Sequence, residues 1–380
     1  MSATREDALL IMQTLERAGH QAYLVGGCVR DLLLSRPVHD YDIATSAFPD
    51  QVQSLFPHTA PTGLRHGTVT VLIGQEPYEV TTFRTEGSYE NHRRPESVAF
   101  VTDLEEDLAR RDFTINAMAL SSDGTLVDCF GGQADLQSGV IRCVGDPALR
   151  FDEDALRMLR AIRFSAQLGF AVEERTLQAA SERSALCAAL SCERIRDEME
   201  KTLCSPQPGK IGQMIDLGFL RHLNLYVHGD LSALSSVPPD RLPRWAMACL
   251  LLPGLDLASL RLDRHTTRLC TEAARISTAL NDLLSCKKAI ADYGWETAEL
   301  AGVLSGQTDL FHSIRLSGDC VTLSQLAVRG LDFPDLKGSE ISEHLRALLY
   351  HVLAHPEDNQ RDTLLAIQDA GAFRGAGSTG

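Results

Sequence analysis

The sequence predicts an α+β protein with a mixed α/β head and an all-α remainder. Three observations predict it. Short β-rich runs are confined to roughly the first 140 of the 380 residues; from Pro147 onward long helical patterns replace them; and a chain of this length exceeds one compact core, so two to four domains are expected. The apolar fraction of 44% and charged fraction of 23% are ordinary for a globular chain.

Along the head, residues 1–20 mix charges into apolar positions and read as an amphipathic helix rather than a signal peptide. Residues 21–25 form a short apolar run ending in Gly26-Gly27, residues 29–34 open a helix, and residues 41–44 read as a strand. Residues 67–73 (GTVTVLI) and 78–83 (YEVTTF) are β-rich on either side of a turn at 74–77, which predicts a hairpin. The helical remainder is punctuated at residues 205–209 and 235–239, and the last ten residues, GAFRGAGSTG, read as disordered. No internal repeat is evident.

Charge and cysteine usage exclude several classes. No run approaches 18 uninterrupted apolar residues, so no membrane span is expected and the cytoplasm is the expected compartment. The ten cysteines contain no CxxC pair, which argues against zinc and, without a secretory signal, against disulfides. His351-x-x-x-His355 has helical metal spacing without an accompanying acid and reads as a surface pair. The net charge of −15 argues against a generic nucleic-acid binder. The 36 basic residues include only five lysines, and arginine suits planar, bidentate contacts with phosphates and bases.

Four constellations carry chemistry. In Leu24-Val-Gly-Gly-Cys-Val-Arg-Asp31 a strand runs into Gly26 and Gly27 and then a helix. The glycines allow close backbone approach, and Arg30 can hold a phosphate; a plain turn is the alternative. Asp40-Tyr-Asp42 places two carboxylates on one face of a strand, roughly 6–7 Å apart. Such a pair can hold divalent cations that activate an attacking hydroxyl and stabilise a leaving phosphate oxygen, or be a solvated edge pair. Glu79 in a later strand is either a third carboxylate or an exposed strand residue. In Arg110-Arg-Asp-Phe-Thr-Ile-Asn116, Arg111 can reach phosphate or sugar oxygens and Asp112 can accept from a ribose 2′-hydroxyl; the alternative is a surface cluster opening a helix. Finally, if residues 152–164 are one helix, a step of about 100° per residue places Asp154, Arg157 and Arg160 opposite an apolar side, with Arg163 at the border. The alternative is a solvated face carrying i,i+3 ion pairs. Glu153 orients these groups or caps the helix.

The order and spacing of these motifs resemble a known family. Gly26-Gly27-x-x-Arg30-Asp31 followed by Asp40-x-Asp42 is similar to the nucleotidyltransferase signature of the DNA polymerase β superfamily. The fuller stretch LVGGCVRDLLLSRPVHDYDIATSAFP resembles class II tRNA CCA-adding enzymes and bacterial poly(A) polymerases. Residues 110–119 match their second motif and residues 146–164 their third and fourth. The resemblance runs from about residue 20 to 200; beyond 220 no residue-by-residue match is recognised.

It implies a polymerase-β-like head with a mixed sheet at 1–138, a helical neck carrying the base-reading helix at 139–204, a helical body at 205–270 and a tRNA-binding helical tail at 271–380. It implies Mg²⁺ at Asp40 and Asp42, catalysis by these two with Glu79, and nucleotide binding by Gly26, Gly27, Arg30, Arg111, Asp112, Asn116, Asp154, Arg157, Arg160 and Arg163. It also assigns the 152–164 helix the reading of the incoming base: cytosine and adenine both present an amino group beside a ring-nitrogen acceptor, and Asp154 beside Arg157 can accept from the first and donate to the second, and so refuse uracil and guanine. The expected reaction is template-independent addition of CCA to the 3′ end of tRNA from CTP and ATP, with pyrophosphate released. Residues 61–71 resemble the CCA-adding form, against a poly(A) polymerase. A CC-only or A-only enzyme and a non-catalytic RNA- or nucleotide-binding module are further alternatives. Residues 85–98 (TEGSYENHRRPESV) are expected to be a mobile loop hinged near Gly87 that adapts the pocket for the final A. The oligomeric state stays open between monomer and homodimer.

Overall fold

The computed structural model describes residues 3–86, 89–90, 94–95 and 98–369, and divides into two compact units, Met1–Leu225 and Tyr226–Gly380. In the first unit, α1 (Arg5–Arg17) is capped by Thr4, whose side chain accepts from the Asp7 N–H. It buries Ala8, Ile11, Met12 and Leu15, and each of the three larger side chains contributes about 1.5–3 kcal/mol of apolar burial. Then follow β1 (Ala22–Val25), α2 (Gly27–Leu33), β2 (Asp42–Thr45), α3 (Pro49–Leu55), β3 (Thr59–Gly63), β4 (Thr68–Ile73) and β5 (Glu76–Thr82). Short strands β6 (Arg84–Glu86), β7 (Tyr89–Glu90), β8 (Arg94–Pro95) and β9 (Val98–Phe100) precede α4 (Leu104–Ala109), β10 (Ala119–Leu120) and β11 (Leu126–Val127).

The main sheet has the order β11-β10-β1-β2-β5-β4-β3. It is antiparallel except where β2 lies parallel to β5, so the sheet is mixed as expected. The expected hairpin is β4–β5, closed by the two residues Gly74 and Gln75, with Gly74 at φ 64° supplying the left-handed position such a turn requires. A cluster of Val25, Ala44, Phe83, Leu104, Leu108 and Ala119 packs the sheet against α4. This fixes the ends of β1 and β2 relative to residues 110–116.

The expected loop at 85–98 is part strand: β6 pairs antiparallel with β9, and β7 with β8. Residues 87–88, 91–93 and 96–97, including the expected hinge at Gly87, lie outside the described residues, as do the last eleven.

After α5 (Gly132–Ser138) the chain turns helical: α6 (Pro147–Glu153), α7 (Leu156–Leu168), α8 (Glu174–Glu182), α9 (Cys192–Leu203) and α10 (Ile211–Asp216). One late β element interrupts the pattern, Ala171–Val172 pairing parallel with Val140–Ile141. The second unit comprises α11 (Arg241–Leu251), α12 (Arg264–Ser277), α13 (Leu283–Ser305), α14 (Thr308–Ser317), α15 (Ser339–Ala354) and α16 (Arg361–Asp369). The α13 helix breaks at Gly294, whose φ of 79° no right-handed helix accommodates. Among the described residues no helix is long and apolar enough to cross a membrane. All ten cysteines are free thiols. His351 and His355 stack with ring centroids 4.9 Å apart, and His351 pairs with Asp358 at 2.7 Å.

Candidate active site

The first unit contains a cavity of about 630 Å³ where the end of β1, the start of β2, residues 110–116 and helices α7 and α9 converge. Every site residue expected from the sequence lines it except Glu79. Eight cationic side chains face it against four carboxylates, so a positive pocket sits in a chain of net charge −15. Such a lining suits a polyanion such as a nucleoside triphosphate.

Gly26 ends β1 at φ 75°, a conformation that favours glycine. A Cβ here would stand 3.1 Å from Arg111 Nη1 and 3.9 Å from Asp42 Oδ2, so the absent side chain lets a cation and a carboxylate close over the turn. Asp42 is the first residue of β2, and Asp40 precedes the strand. The expectation that both sit on one strand is therefore corrected. Ile43–Thr45 form the buried, paired part of β2, while Asp40 is exposed outside the ladder; the buried Tyr41 between them keeps both carboxylates at the cavity. Limited solvation in this recess, then the charge of Glu79, push the Asp42 carboxyl above its usual range against the pull of Arg111.

Two carboxylates offer hard oxygen donors that suit a divalent cation. Glu79 pairs in register with Asp42 across the parallel ladder but is exposed and outside the cavity lining. Among the described residues no group of three His, Cys, Asp or Glu side chains is placed to hold a metal.

A connected polar network fixes the remaining groups. The Arg30 guanidinium donates to Asp31 at 3.0 and 2.9 Å and to Asn116 Oδ1 at 2.8 Å. Asn116 donates in turn to Asp112 Oδ1 at 3.0 Å. The Phe113 N–H donates to the same oxygen at 2.8 Å, and Arg160 donates twice to Asp112 Oδ2, at 2.8 and 2.5 Å. Four protein donors thus occupy the carboxylate's acceptor positions. Asp112 orients Arg160 and Asn116 rather than offering a free acceptor to a sugar hydroxyl. Burial alone would raise its pKa; Arg160 and Asn116 outweigh that and hold it well below the usual carboxylate range. Arg111 donates to the buried Asp107 at 3.1 Å, and its Nε finds no acceptor among the described residues.

The base-reading segment departs from the expected single helix. Helix α6 ends at Glu153, Asp154 adopts an extended conformation (φ −139°, ψ 104°), and α7 starts at Leu156. The cause is local: Asp154 Oδ1 accepts the Leu156 N–H at 3.0 Å, the short-range bond by which aspartate competes with helix continuation. Arg157 stays close, donating its N–H to the Asp154 carbonyl at 3.0 Å. Its guanidinium donates to Glu153 at 2.5 Å and to the carbonyls of Arg150 and Arg110 at 3.1 and 3.0 Å. Glu153 thus orients Arg157, one of the two roles expected of it. Arg163 is buried and turned toward α9, donating to Glu198 at 2.5 Å.

Sequence reasoning missed Arg110, Leu156, Phe164, Arg194 and Lys201 in the lining. The Phe164 ring lies under Arg30, Arg160 and Arg163, at 5.1, 5.3 and 3.9 Å from its centroid. Its phenyl group marks it in the sequence only as core. Arg194 and Lys201 lie on α9, whose i, i+4 charge pattern reads as a solvated face.

Comparisons with known proteins identify the family. Residues 22–142 match the poly(A) polymerase head domain, and residues 169–229 match a probable RNA- and SrmB-binding site of polymerase A. The chain is 41% identical over 360 residues to a CCA-adding enzyme of Lactobacillus helveticus (strain DPC 4571), spanning 90% of this chain and 87% of the relative. It is 38% identical over 385 residues to that of Anoxybacillus flavithermus (strain DSM 21510 / WK1), spanning 96% of each. The crystal structure of the Bacillus stearothermophilus CCA-adding enzyme in complex with CTP superposes with a TM-score of 0.82 at 32% identity, over 98% of this chain and 99% of that one. The Thermotoga maritima CCA-adding enzyme complexed with tRNA-CCA shares the fold, with a TM-score of 0.72 at 22% identity over 97% and 96% of the two chains. With the aspartate pair, the arginine-lined cavity and the mixed-sheet head in place, the chain belongs to the class II CCA-adding enzymes, a family of tRNA nucleotidyltransferases.

Proposed function

We propose that this protein adds C, C and A in turn to the 3′ end of tRNA from CTP and ATP, without a nucleic-acid template, in the cytoplasm. The observation that carries the reading is the single cavity in which an aspartate pair, a glycine turn and eight cations meet the helix-break residue Asp154. The likeness to CCA-adding enzymes over nearly the whole chain favours this activity over poly(A) polymerisation.

Asp40 and Asp42 would hold Mg²⁺. When bound, a divalent cation supplies Lewis-acid activation of the RNA 3′ hydroxyl and stabilises the departing pyrophosphate oxygens. The protein's own groups position the reactants. The open backbone at Gly26-Gly27 allows close approach of phosphate, Arg30 and Arg111 neutralise it, and Arg160, held by Asp112, adds a third cation. Asp154 accepts from the amino group of cytosine or adenine, and Arg157, locked by Glu153, donates to the ring nitrogen. Glu79 acts as a neighbouring charge on Asp42. The head is assigned to 1–138, the neck to 139–204, the body to 205–270 and the tRNA-binding tail to 271–380.

The test is incubation of tRNA lacking its 3′ CCA with each nucleoside triphosphate, followed by sequencing of the product ends. CTP alone should give two added C residues, and CTP with ATP the full CCA. Long A tracts from ATP alone, or arrest after CC with both present, would overturn the reading.

A further inference from the structure

Asp154 can read a base only if its carboxylate is ionised and held in one orientation. Its Oδ1 is fixed by the Leu156 N–H at 3.0 Å. Its Oδ2 accepts from Arg194 Nη2 at 2.7 Å, 40 residues along the chain on α9. No other ion pair engages Asp154 among the described residues, and Arg157 points its guanidinium elsewhere, to Glu153 and two carbonyls. Arg194 lines the same cavity, and its Nη1 is buried without an acceptor among the described residues. Four residues on, one helical turn away, Glu198 holds Arg163 at 2.5 Å. Helix α9 packs along α7, so one of its faces reaches two cavity groups, one with a cation and one with an anion.

We propose that Arg194 is a positioning residue for nucleotide selection: it holds the Asp154 carboxylate in the orientation that accepts the amino group of cytosine or adenine. This rests on the base-reading role assigned to Asp154. A charge-assisted hydrogen bond from a rigid guanidinium keeps a carboxylate charged and limits its rotation. Without it, Asp154 is tethered through Oδ1 alone, and Oδ2 is free to turn away from the incoming base. Uracil and guanine, which present a carbonyl where cytosine and adenine present an amino group, are then refused less strongly.

The experiment compares kcat/KM for CTP and UTP on tRNA lacking CCA in the wild type, Arg194→Ala, Arg194→Lys, Asp154→Asn and the double variant Arg194→Ala/Asp154→Asn. Asparagine keeps an acceptor for the Leu156 N–H but loses the charge that Arg194 engages. Arg194→Ala should reduce the CTP-over-UTP ratio roughly tenfold, the scale of one charge-assisted hydrogen bond. Arg194→Lys should recover part of the ratio, and Arg194→Ala should cause no further loss in the Asp154→Asn background. A ratio unchanged in Arg194→Ala, with CTP and UTP rates falling together, overturns the inference, as does an equal loss in both backgrounds. An unchanged ratio in Asp154→Asn overturns the base-reading role itself, a distinguishable failure. Should Arg194→Ala not fold, Arg194→Gln carries the same comparison.

Discussion

Asp112 is buried, accepts four hydrogen bonds and lies beneath Arg160, so its protonation state is tied to folding. Its folded pKa is depressed. Its contribution to stability is therefore fully present above the unfolded carboxylate value of 3.8 and is lost as pH falls from there toward the lower folded value. Asp112→Asn leaves Arg160 without its counter-charge and should cost about 2–3 kcal/mol near neutral pH. It should also flatten the decline in melting temperature below pH 4, as followed by circular dichroism. Equal acid dependence in wild type and variant would show that other groups dominate. Asp40→Ala tests the chemistry instead: incorporation should disappear while tRNA affinity, measured by filter binding, changes no more than a few-fold. Glu79→Ala should leave clear activity, because Glu79 neighbours Asp42 without lining the cavity; a loss as deep as that of Asp40→Ala would make it a third essential carboxylate.

At the scale of elements, what was legible depended on how local the cause is. The hairpin β4–β5, helix α1 and strand β1 follow from alternation, amphipathic spacing and glycine, each contained within its own short stretch of sequence. The break between α6 and α7 was not legible, because the buried apolar positions Phe151, Ala155, Met158 and Ile162 keep helical spacing across it. A side chain bonding to the backbone two residues on leaves no periodic trace. Asp40 and Asp42 were legible as a pair, although the strand begins only at the second of them. Arg194 was hidden for the opposite reason: its partner is 40 residues away, and only the packing of α9 on α7 brings them together. We propose that the segment between β6 and β9 bears on the last nucleotide. One pocket must take first a pyrimidine and then a purine, and the stretch between Arg84–Glu86 and Val98–Phe100 joins the main sheet to α4. Deleting about eight residues between those strands, an ordinary loop length, should leave CTP addition largely intact and cripple ATP addition in single-turnover assays. Parallel loss of both would make it a folding element.

On the scale of the whole molecule, the cavity is built entirely within Met1–Leu225; its last lining residue is Lys201. A chain ending at Leu225 should therefore bind CTP with the affinity of the full protein, measured by calorimetry, while losing affinity for tRNA. Loss of CTP binding in a folded fragment would show that the second unit completes the nucleotide site.

The arginine bias also makes the pocket visible to covalent labelling. Of the eight cations facing the cavity, seven are guanidiniums, which amine-selective reagents ignore; only Lys201 bears a primary amine, and it is exposed. The chain has four other lysines, one of which, Lys287, is buried against Asp319. Acylation mapped by peptide mass spectrometry should thus include one adduct inside the cavity. Saturating CTP should suppress modification of Lys201 while leaving the exposed Lys337 unchanged, so the ratio of these two adducts would report pocket occupancy without a radioactive substrate or an engineered probe.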